Sequence, residues 1–132
     1  MKKLVHWFQN HKRSASAFIL LSFVLLACCA FPFYNLTKPF SGALAFTNLF
    51  VNVSVYGYMG AFMARLQPHA RTGKVLLMIL SVILGGMLCR WLLEYGEVSN
   101  TYNFTAANIA LHLLVTVTIS TFSWYKASKR PK

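Results

Sequence analysis

Negative charge is almost absent from this 132-residue sequence. Two glutamates stand against thirteen lysines and arginines, a formal net charge of +11, and only 11 % of the residues are charged. A soluble domain carries about 25 % charged residues, so the chain lacks the charge that a wetted surface needs. With 57 % hydrophobic residues it is too apolar for a disordered chain. Its basic balance does not sit in a wettable body of the kind that reads nucleic acid. Catalytic signatures are missing as well. Two carboxylates are not accompanied by a nucleophile with a base, and there is no P-loop, dinucleotide fingerprint or His/Cys/Asp metal spacing. The sequence therefore gives no catalytic, cofactor-binding or metal-ligating residue, and a non-enzymatic role is expected.

Long apolar runs are what the sequence does have. Four stretches approach the ~20 apolar residues that a bilayer crossing takes: about 14–34, 40–64, 75–93 and 104–124. A lipid-exposed span satisfies its own backbone as a helix. Short links should make sequence neighbours antiparallel and adjacent. The expectation is an all-α polytopic membrane protein: one domain over residues 1–132, folded as a four-transmembrane-helix bundle.

Charge orients the bundle. Lys2, Lys3, Lys12 and Arg13 precede the first span, Arg65, Arg71 and Lys74 lie between the second and third, and Lys126, Lys129, Arg130 and Lys132 end the chain. With four spans these share one side, and the positive-inside rule places that side, with both termini, in the cytoplasm of a bacterial inner membrane. The opposite side holds Lys38, Arg90 and both acids, Glu94 and Glu97. Trp7, Tyr34, Trp91, Tyr95 and Trp124 fall near the predicted membrane edges, where amphipathic rings settle. The start also reads as a signal peptide ending at Ala27-Cys28, but the sequence after it stays membrane-like, which favours an uncleaved helix. Cys28, Cys29 and Cys89 read as small apolar residues, with a disulfide between the first and third spans as the alternative. Asn35-Leu36-Thr37 and Asn103-Phe104-Thr105 fit the glycosylation sequon but hug the membrane.

Polar residues inside the spans follow a helical period. The second span carries Asn48, Asn52 and Tyr56 at spacing four, and the fourth carries Asn108, His112, Thr116 and Ser120 at the same spacing. Residues four apart share a helix face. Both spans run inward, and equal depth matches Asn48 with His112, Asn52 with Thr116 and Tyr56 with Ser120. If the two faces meet they form a polar ladder. Hydrogen-bonding glue between helices is the plain reading. The functional reading is a lined pathway or a sensing centre around His112, the only ionisable group deep in a span. Gly57-x-x-x-Ala61 and Ser81-x-x-x-Gly85 match the small-xxx-small packing pattern, for internal packing or for a homo-oligomer. Arg90 and Glu94 are spaced to pair on a helix. Together with Glu97 they make the outer loop a candidate site for a partner's basic patch or for cations. His6, His11 and His69 lie in basic segments and read as solvated. The basic segments themselves suit anionic lipid head groups, and no nucleic-acid partner is expected.

Two likenesses accompany these residues. Gly85-Gly86, Arg90-Trp91, Asn108 and Ser120-Thr121-Phe122-Ser123 resemble fragments of the small four-helix fluoride channels. Their order and spacing differ, since the asparagine and the phenylalanine motif share one span here, and no function is carried over. In size and layout the chain is similar to the UgtL-like small inner-membrane regulatory and resistance proteins of enterobacteria. That likeness implies an accessory protein acting on an envelope sensor kinase or in antimicrobial-peptide resistance. The chain's own residues suggest a membrane-protein partner. The alternative is a small homo-oligomeric transporter or channel with a polar path along the second and fourth spans.

Overall fold

The computed structural model describes residues 2–129; Arg130 and Lys132 of the basic tail lie outside the described residues. Six helices occur in order: α1 (Lys2–Asn10), α2 (Lys12–Ala30), α3 (Gly42–Leu66), α4 (Thr72–Leu93), α5 (Val98–Asn103) and α6 (Ala106–Ser128). No strand is present among the described residues. Three helices, α2, α4 and α6, are long and apolar enough to cross a membrane. The 25-residue α3 is longer than any of them, but Thr47, Asn48, Asn52 and Ser54 lower its hydropathy.

The helix ends have local causes. The first apolar run breaks at Ala30, four residues before its expected end, because Pro32 lacks an N–H and bars helical backbone at the residue before it. Phe31 is accordingly extended, at φ −86° and ψ 142°. Ser41 and Thr105 cap α3 and α6, their hydroxyls accepting from the amides of Leu44 and Asn108. Two short helices were not expected. The first, α1, places Val5 and Phe8 against the core while Leu4 and Trp7 stay exposed. The second, α5, folds the link between α4 and α6 back toward the bundle.

The four long helices stand at the corners of a square in the order α2, α3, α6, α4. The expectation that all sequence neighbours pack side by side fails for α3 and α4. They occupy opposite corners and barely touch, while the most extensive interfaces are α3 with α6 and α2 with α4. Both of these pairs are parallel, since residue numbers climb together across them. Ser16 reaches Met78 on α4, Val24 meets Gly85, and Ala27 meets Gly86. On the other pair Tyr56 meets His112, and Gly60 meets Ser120 and Trp124.

Each parallel pair is pinned where a glycine admits a neighbouring backbone. A Cβ on Gly60 would collide with the Ser120 carbonyl oxygen and come within 3.0 Å of the Trp124 nitrogen. A Cβ on Gly86 would lie 2.8 Å from the Ala27 carbonyl carbon and the Cys28 nitrogen. The tight residues are thus Gly60 and Gly86, on a neighbouring face from the expected pair motifs. Gly57 and Gly85 line the same seams more loosely, and Ser81 is exposed. The apolar core lies among α2, α3 and α4, with Ile19, Phe23, Met59, Met63, Ile79 and Ile83 at its centre. Cys28 is buried, Cys29 exposed and Cys89 half-buried, all three as free thiols.

Candidate functional site

Helix α6 turns a polar stripe inward. Its four buried residues are Asn108, His112, Thr116 and Ser120, each with no exposed surface. Apolar residues flank this stripe: Ile109, Leu113 and Val117 pack partly buried against the core, while Leu114 and Phe122 are exposed. The partner face of α3 buries Asn52 and Tyr56. The polar faces of the second and fourth apolar runs therefore do meet. The helix backbones lie close to equal depth, with Gly57 against Ile119 and Ser123 and Gly60 against Ser120 and Trp124. The side-chain pairing differs from the expected one: the Tyr56 hydroxyl lies 3.1 Å from His112 Nε2, not beside Ser120.

His112 ties three elements together. Its ring stands edge-on to Tyr56 at 5.7 Å and to Phe31, just beyond α2, at 5.0 Å. Its Nδ1 is buried and has no hydrogen-bond partner among the described residues. One side of the ring is thus unsatisfied whichever nitrogen holds the proton. Asn52 Oδ1 and Ser120 Oγ are buried without partners too. Other members of the stripe are satisfied: Thr116 Oγ1 donates to the His112 carbonyl at 2.6 Å, and Asn52 Nδ2 donates to the Asn48 carbonyl at 2.9 Å.

At the N-terminal end of α6 the stripe continues as a hydrogen-bond chain. Asn108 Oδ1 accepts from the Leu36 amide at 2.8 Å, and its Nδ2 donates to the Tyr102 carbonyl at 2.9 Å and to Asn35 Oδ1 at 3.3 Å. Asn35 Nδ2 donates to Asn103 Oδ1 at 2.9 Å, and Asn103 Nδ2 donates to Glu94 Oε2 at 3.1 Å. Glu94 forms an ion pair with Arg90, one turn earlier on α4. The chain therefore runs Asn108–Asn35–Asn103–Glu94–Arg90. It links the buried polar face of α6 to the charge pair, two features that are independent in the sequence.

A cavity of about 600 Å³ opens beside this chain. Lys38, Asn48, Asn52, Arg90, Glu94 and Asn103 are among its lining residues. That volume lies in the range of small-molecule sites. Its charge balance is one carboxylate to two cations, and the buried Arg90 Nε has no partner among the described residues. Such a lining presents spare donors to an anionic or carbonyl-bearing group. Glu97 does not join it: that residue is exposed and accepts from Ser99 Oγ at 3.1 Å. Asn35, Asn103 and Lys38 belong to the site but were not singled out as site residues. Asn35 and Lys38 sit in a loop and Asn103 ends the short α5, where no period marks them. Among the described residues no group of three or more His, Cys, Asp or Glu gathers to hold a metal ion.

No protein-family model, curated protein or solved structure matches the chain. Function must therefore be argued from this site.

Proposed function

We propose that the protein is a four-span accessory protein of a bacterial inner membrane, with both termini cytoplasmic. It binds a polar group in its outward cavity and transmits that state to a larger membrane protein. An envelope sensor kinase, or a component of antimicrobial-peptide resistance, suits this role. Support for α3 as the fourth span comes from its outward face. Phe46 and Phe50 are 70 % and 65 % exposed, while its asparagines and Tyr56 face inward. Its 25 residues reach about 37 Å at ~1.5 Å each, more than the ~30 Å hydrocarbon core. The basic segments at α1, α2 and the α3–α4 link then share the cytoplasmic side.

The observation that carries the reading is the hydrogen-bond chain from Arg90–Glu94 to Asn108. A group that takes the Arg90 guanidinium must rearrange Glu94 and Asn103, and with them the anchor of α6. Hydrogen-bonded networks of this kind act as units. Crosslinking in native membranes with quantitative mass spectrometry tests it. A near-stoichiometric membrane partner should be retained by the wild type and by K129Q, and lost in E94Q and N103A while insertion is preserved. Full retention by E94Q and N103A refutes the assignment.

A second reading, a small transporter or channel, is favoured by one observation. Asn52 Oδ1, His112 Nδ1 and Ser120 Oγ form a file of unpartnered polar atoms along the α3–α6 seam. Solute or proton flux in reconstituted vesicles, abolished by H112L, supports that reading. Inserted protein without flux removes it.

A further inference from the structure

A second cavity, of about 420 Å³, lies at the opposite end of the bundle. Four elements build it: α1 with His6, the start of α2 with Lys12, the α3–α4 link with His69 and Arg71, and the start of α4 with Lys74. Its walls are braced. Gln67, nearly fully buried, donates from Nε2 to Ser16 Oγ at 2.8 Å and to the Lys12 carbonyl at 3.4 Å. Gln9 Nε2 donates to the Arg65 carbonyl at 2.9 Å.

The lining has three cations and no acid. Both glutamates lie at the far end of α4, and the ion pair Arg90–Glu94 is the only one among the described residues. Lys12, Arg71 and Lys74 therefore converge without a counter-charge. The starts of α2 and α4 reach the same cavity, and neither His11 nor Arg71 caps its helix through a side chain. Their first-turn amides add positive potential to the cations. The volume exceeds what a bare carboxylate or halide fills, and it accommodates a tetrahedral oxyanion with substituents. Beside it, α1 exposes Leu4 and Trp7, an apolar edge and an indole suited to the head-group level.

We propose that this cavity binds the phosphate of an anionic phospholipid, held by Lys12, Arg71 and Lys74. The site stands apart from the outer cavity and from the reading built on it. The same phosphate chemistry can come from the bilayer or from solution, and position at the membrane edge favours the bilayer.

Native mass spectrometry of the purified full chain, titrated with phosphatidylglycerol in mixed micelles, tests the proposal. Two cations near a membrane surface contribute a factor of about 30 in lipid affinity. R71Q/K74Q should weaken phosphatidylglycerol retention by that factor. K126Q/K129Q, which removes equal charge from the α6 end, should change it less than about threefold. A parallel arm titrates inorganic phosphate into protein in phosphatidylcholine vesicles against chloride at equal ionic strength. Phosphate binding with the same dependence on Arg71 and Lys74, without lipid retention, upholds the phosphate site and assigns its source to solution. Equal weakening by both double variants, or binding in neither arm, overturns the proposal. Circular dichroism checks that R71Q/K74Q folds. If it does not, K12Q carries the test, with about fivefold weakening expected for one cation.

Discussion

The contact between Tyr56 and His112 can be tested as a free-energy cycle. Removing the phenol oxygen in Y56F deletes the 3.1 Å contact and leaves both imidazole nitrogens unpartnered, since Nδ1 already has no partner among the described residues. A hydrogen bond between membrane helices contributes ~0.6 kcal/mol on average and up to ~2. Leaving a buried polar group unsatisfied costs about 1–3 kcal/mol. Y56F should therefore destabilise the protein by about 1–2 kcal/mol. H112L should cost more, about 2–3 kcal/mol, because it also loses the edge-on contacts with Phe31 and Tyr56 and strands the Tyr56 hydroxyl. In Y56F/H112L neither partner is left stranded. The double variant should thus cost less than the sum of the singles by about 1 kcal/mol. Reversible unfolding in mixed micelles, followed by circular dichroism, measures all three. Additivity to within about 0.3 kcal/mol, with a silent Y56F, would refute a hydrogen-bonded polar seam.

Other consequences are simpler to state. G60A and G86A should each destabilise by about 1–3 kcal/mol, because the added methyl meets a neighbouring backbone. G42A and G73A, which meet nothing within 4 Å, should be neutral or stabilising by up to about 1 kcal/mol in the same unfolding assay. N103A breaks two links of the outer chain, and hydrogen exchange at residues 35–38 and 98–103 should speed up about tenfold, the equivalent of two modest hydrogen bonds. Thiol titration of unreduced, denatured protein should find all three cysteines free.

What could be read from the sequence followed a period. The all-helical class and the buried polar stripe of α6 are present in the structure, and three of the four apolar runs form helices apolar enough to cross a membrane. Asn108, His112, Thr116 and Ser120 repeat every four residues, so one face had to hold them all. Features without a period stayed hidden. Asn35 enters the site from a loop and Asn103 from the end of the short α5, which folds back to Glu94. Ala30 ends α2 because of a single proline, a stop that apolarity alone did not mark. The diagonal placement of α3 and α4 was hidden for a different reason. Link length limits how far apart two helix ends lie, but packing decides who sits beside whom. Gly60 and Gly86 each admit a parallel neighbour's backbone, and those two close approaches set the corners of the square. The likeness to inner-membrane regulatory proteins rested on size and layout, and it enters the account only as part of the proposed role.

The placement of α3 alongside α6, parallel and within the bundle, underlies both the polar seam and the proposed four-span topology. Its most direct test is a crosslink. A Cβ on Gly57 would lie 3.4 Å from Ser123 Oγ, near enough for a bridge between cysteines. In a chain whose three native cysteines are replaced, G57C with S123C should form an intramolecular disulfide in native membranes under mild oxidation. Efficient closure within one chain is the predicted result. No bridge, or one formed only between two chains, would contradict the account.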